Sequence, residues 1–63
     1  MYKLINLNNS KLPLSTSNEL VNLWTMLDNK EYKYMPLVII KNGNIVAGKA
    51  GAFEQAKGLG FTI

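Results

Sequence analysis

The chain has 63 residues, a mass of 7.0 kDa and a formal net charge of +3, from seven Lys, no Arg and four carboxylates (Glu19, Asp28, Glu31 and Glu54). That length holds one small domain, residues 1–63, and no more. The absence of Cys excludes disulfides, thiol catalysis and thiolate metal sites, and the absence of His removes the commonest general base and metal ligand.

In chain order, Tyr2-Lys3-Leu4-Ile5-Asn6-Leu7 alternates loosely and reads as a short strand, with Tyr2 and Leu4 on one side. Asn8 to Leu14 clusters Asn, Ser and Pro and reads as a loop. Thr16-Ser17-Asn18-Glu19 fits a capping box, with Thr16 as the N-cap of a helix and Glu19 reaching back to it, and Ser15 or Ser17 as the alternative cap. Behind it Leu20, Leu23, Trp24 and Leu27 fall at i, i+3, i+4 and i+7, an apolar stripe that Val21 and Met26 widen. This pattern places Trp24 in the core. Asp28-Asn29-Lys30 is the helix exit.

A hairpin follows. Leu37-Val38-Ile39-Ile40 and Ile45-Val46-Ala47 are rich in β-branched residues and flank Lys41-Asn42-Gly43-Asn44. Asn-Gly suits a two-residue type I′ turn, in which both central residues need positive φ. That turn pairs Ile40 with Ile45 and Val38 with Ala47, leaving Met35, Leu37, Ile39, Val46 and Ala50 on the other face. Both faces are apolar and call for cover, and one of them is expected to be an interface. Ala52 to Lys57 reads as a short helix with Ala52, Phe53, Ala56 and Leu59 inward, ended by Gly58 or Gly60. Phe61-Thr62-Ile63 is β-prone, a candidate last strand. The expected fold is α+β in the order β–α–β–β–α, with a central hairpin packed by two helices.

The segment Met35-Pro36-Leu37-Val38-Ile39-Ile40-Lys41-Asn42-Gly43-Asn44-Ile45-Val46 resembles the second half of thioredoxins. In that family a proline opens a strand, a Lys-Asn-Gly turn follows, and a second antiparallel strand leads through a Gly into the last helix. Lys49-Ala50-Gly51-Ala52-Phe53 is similar to that last junction. The resemblance implies a ββα substructure without redox activity, since the CxxC pair is absent, and a cis peptide at Pro36.

Chemistry is sparse. The four carboxylates are scattered, Ser15, Thr16 and Ser17 have no base to activate them, and the Gly spacing matches no phosphate loop. The expectation is a non-enzymatic protein with no catalytic residue, no metal and no cofactor. Its expected work is binding another protein, as a phage- or plasmid-type inhibitor or accessory factor, with self-association into a homodimer as a further expectation. The candidate contact residues are Lys30, Tyr32, Lys33, Tyr34, Leu37, Ile39, Lys41, Asn42 and Lys49. Nucleic acid is the alternative partner, because Lys30-Glu31-Tyr32-Lys33-Tyr34 interleaves cations with rings and Lys41 and Lys49 flank the turn. Absent Arg and a charge of only +3 weigh against it.

Composition also sets the expected surroundings. Eight Asn and seven Lys suggest AT-rich codons, hence a low-GC bacterium or one of its phages or plasmids. The longest apolar run, Met35–Ile40, falls far short of the ~20 residues of a membrane span, and the first residues hold no signal-peptide stretch. A cytoplasmic protein without a membrane partner is the expectation.

Overall fold

A computed structural model of the protein describes residues 1–9, 12–49 and 51–62. Four strands, β1 (Tyr2–Asn6), β2 (Ser15–Ser17), β3 (Leu37–Lys41) and β4 (Asn44–Gly48), form one antiparallel sheet in the order β2-β1-β3-β4. Helix α1 (Leu20–Leu27) and a 3-10 turn over Lys30–Tyr32 lie between β2 and β3, and α2 (Ala52–Gly58) follows β4. The class is α+β, with one strand more than the sequence pattern predicts.

The extra strand replaces the expected capping box. Ser15, Thr16 and Ser17 pair with Leu4, Lys3 and Tyr2 of β1, and Thr16 caps nothing. The N-cap of α1 is Glu19, in extended conformation. Ser17 ties the strand to the helix: its Oγ accepts from the Glu19 amide (3.1 Å) and from Asn22 Nδ2 (3.0 Å). A Ser/Thr run serves a helix cap or a polar edge strand, and here the unpaired backbone of β1 recruits it.

The hairpin forms at its predicted turn, with Asn42 at φ 54° and Gly43 at φ 81°. Lys41 faces Asn44 and Ile40 faces Ile45, as a two-residue turn requires. Beyond them Ile39 faces Ala47 and Val38 faces Gly48, so Val46 is an extra residue in a β-bulge and the expected Val38–Ala47 pair does not form. The bulge turns Ile45 and Ala47 into different cores, where strict alternation would put them on one face. Val46 itself stays 43% exposed.

Each face of the sheet has its own helix. On one face Leu4, Leu37, Ile39 and Ala47 pack with Leu23 of α1. On the other Ile5, Leu7, Val38, Ile40 and Ile45 pack with Ala52 and Ala56 of α2. Four successive residues of β3 are buried because alternate side chains enter opposite cores. This corrects the expectation of an interface on the hairpin: the protein's two helices cover both faces. Leu37 and Ile39, expected to touch a partner, are 0% exposed and belong to the α1-side core.

The stripe on α1 is narrower than predicted. Leu20, Leu23, Met26 and Leu27 turn inward, whereas Val21 and Trp24 are 60% and 51% exposed. Leu59, expected inward, lies just past α2 and is also exposed. The Met35–Pro36 bond is trans, unlike the cis bond that the resemblance implies. Thr62 adds one parallel bridge to Asn44 at the outer edge of β4, where the Ile45 amide donates to the Thr62 carbonyl (2.6 Å). Ala50 and Ile63, assigned to the hairpin face and the last strand, lie outside the described residues. Among the described residues no helix is long and apolar enough to cross a membrane.

Candidate functional site

At one end of the sheet the exit of α1, the 3-10 turn and the end of β4 enclose an open groove of about 900 Å³. Trp24, Leu27, Asp28 and Asn29 line it from the helix exit, Lys30 and Lys33 from the turn, and Gly48 and Lys49 from β4 and the residue after it. The helix stops there because Asp28 and Asn29 leave helical geometry, and Asn29 starts the next turn by accepting the Glu31 amide on its Oδ1 (2.9 Å). Tyr32 anchors that turn by packing against the α1-side core.

Lys49 is the best-fixed cation. Its amide donates to the Leu37 carbonyl (3.0 Å), and its ammonium donates to the Tyr32 carbonyl, which also accepts from the Met35 amide (3.1 Å). An ammonium has three N–H donors, so two stay available to a ligand. Lys33 is held more loosely, with Nζ 5.5 Å from the centroid of the Tyr34 ring, a contact of about 0.5–1 kcal/mol at an exposed site. Tyr34 is 89% exposed. Lys33 and Lys49 also line a second cleft of about 420 Å³, together with Tyr34, Met35, Pro36 and Gln55. The two lysines therefore stand between the clefts.

Of the residues singled out from the sequence, the structure brings Lys30, Lys33 and Lys49 to one groove and sets Tyr34 in the adjoining cleft. Tyr32 lies behind them as a support. Lys41 and Asn42 are at the opposite end of β3, four residue steps or roughly 13 Å from Leu37, where Lys41 Nζ sits 5.0 Å from the Tyr2 ring. They form no part of the groove.

No protein-family model, curated protein or solved structure matches the chain.

Within the groove, the residue that sequence reasoning misplaced is Trp24. A step of about 100° per residue separates it from Leu23, and Leu20, Leu23 and Leu27 suffice to define the buried arc. A helix of eight residues on a narrow sheet buries one arc only, so the bulkiest side chain at its margin is left at the groove. Chemically the groove offers an aromatic plate, an aliphatic contact, three ammonium groups and one carboxylate. Glu19, Glu31 and Glu54 are exposed and do not line it, so it holds no carboxylate pair for acid–base work.

Proposed function

We propose that the protein is a non-enzymatic binding protein that acts through protein–protein contacts, as an inhibitor or accessory factor occupying another protein's surface. The observation that carries this reading is Trp24, half exposed beside Leu27 at a groove set with lysines. Trp is enriched among the few residues that dominate interface energetics, and a partner would desolvate it fully. The charges around it are mixed, since Asp28 and the negative end of α1 share the groove with Lys30, Lys33 and Lys49. Such a surface suits another protein. A phosphate backbone is best met by a continuous track of one sign.

The second reading, nucleic-acid binding, has the Lys30, Lys33 and Lys49 cluster beside Trp24 and Tyr34 in its favour. Lys3 and Lys41 lie at the other end of the sheet, however, which breaks the basic track. The proposed setting is the cytoplasm of a low-GC bacterium carrying a phage or plasmid. The test is affinity capture from such a lysate, with and without nuclease, using the wild type and Trp24→Ala as paired baits. A stoichiometric protein that survives nuclease and moderate salt, and is lost from the Trp24→Ala bait, supports the reading. Recovery that vanishes with nuclease, or that ignores Trp24, overturns it.

A further inference from the structure

We infer that the groove and the adjoining cleft together recognise a short acidic segment of the partner, in which a carboxylate side chain is bracketed by bulky apolar residues. The inference rests on the protein-binding reading and names its partner's chemistry. It starts from the placement of Lys33 and Lys49, which line both clefts and so separate the apolar surface of Trp24 and Leu27 from that of Tyr34, Met35 and Pro36. A ligand that fills both sides must cross these two ammonium groups.

Charge complementarity decides what crosses. Three lysines face one carboxylate, Asp28, around the larger groove, and the chain as a whole carries +3. Lys49 is the prearranged member, because its bond to the Tyr32 carbonyl fixes the ammonium and leaves donors for an incoming carboxylate. Ordering it therefore costs little on binding. Lys33, exposed and only loosely oriented by Tyr34, supplies the adjustable second contact. The apolar contacts on each side give affinity that salt does not screen, which a purely ionic patch lacks.

Size limits the segment. The molecule measures 25 × 25 × 19 Å, so an extended chain crossing it at about 3.3 Å per residue contacts it over roughly seven residues at most. A linear motif of that length presents one apolar side chain to each cleft and a carboxylate between them.

Selection of a displayed random 12-residue peptide library on the immobilised full chain tests this. Enriched peptides are expected to carry Asp or Glu between bulky apolar residues, and to bind at least tenfold more weakly to Lys33→Glu and to Trp24→Ala. Both substituted side chains are exposed, Trp24 by 51%, and circular dichroism checks that each variant is folded. Basic or featureless enriched peptides, or acidic ones indifferent to Lys33→Glu, overturn the inference. If such peptides still lose binding on Trp24→Ala, the protein-binding reading stands without it. No enrichment overturns the inference, and enrichment insensitive to Trp24 overturns both. Tighter binding of a 12-residue oligothymidylate in the same buffer, with a steep salt dependence, also overturns both in favour of nucleic acid.

Discussion

Replacing Ile39 by Val separates a core position from an interface position. Ile39 is 0% exposed at the centre of β3, paired with Leu4 and Ala47 and packed in the cluster that contains Leu23. Deleting one buried methylene forfeits about 0.8 kcal/mol of transfer free energy. The space left behind raises the loss to at most about 1.5 kcal/mol. Valine is the suitable probe, because truncation to Ala would cost about 2–5 kcal/mol, as much as a core of this size supplies. The assay is urea unfolding followed by circular dichroism and by fluorescence of the single tryptophan, Trp24. The midpoint should fall with an unchanged slope, and each kcal/mol should lower Tm by roughly 4–8 °C. The loss should be the same at every protein concentration. A variant as stable as the wild type, or a loss that disappears on dilution, would refute the placement of Ile39 in the core of a single chain.

Gly48→Ala should destabilise by about 1–3 kcal/mol in the same assay, because an added Cβ would meet Val38 Cγ1 at 3.0 Å and the Leu37 carbonyl at 3.2 Å. Gly43→Ala has open space around it but a φ of +81°, so its cost of about 1–2 kcal/mol is purely conformational and should be absent when a D-alanine is installed by synthesis. Lys49→Met removes the ammonium from the Tyr32 carbonyl and should speed hydrogen exchange at the Lys33 and Met35 amides about tenfold while the amides of β3 stay protected; uniform acceleration would mean global destabilisation instead. Val46→Thr, at the exposed bulge, should change stability by no more than about 0.5 kcal/mol.

Much of the fold is legible in single stretches of chain. The alternation of Tyr2 to Asn6, the Leu20–Leu27 periodicity, the Asn42-Gly43 turn and the Ala52–Gly58 helix are local patterns, and local backbone preference is enough to write them. The site is legible only in part. Lys30, Lys33 and Tyr34 are neighbours in sequence and stay so in space, but nothing local brings Lys49 to them; the β3–β4 hairpin does, by returning the chain to the end of the sheet from which β3 starts.

The sequence by itself determined an α+β chain with a type I′ hairpin and two short helices. Tertiary structure decided the rest. It turned the Ser15–Ser17 run into an edge strand, because β1 had backbone groups to pair. It placed a bulge at Val46 and so divided Ile45 and Ala47 between two cores. It buried Leu37 and Ile39 beneath α1 and left Trp24 in the open. Each of these outcomes depends on which surface faces which across the sheet, and that depends on contacts between residues distant in the chain, which no local pattern of apolar spacing encodes.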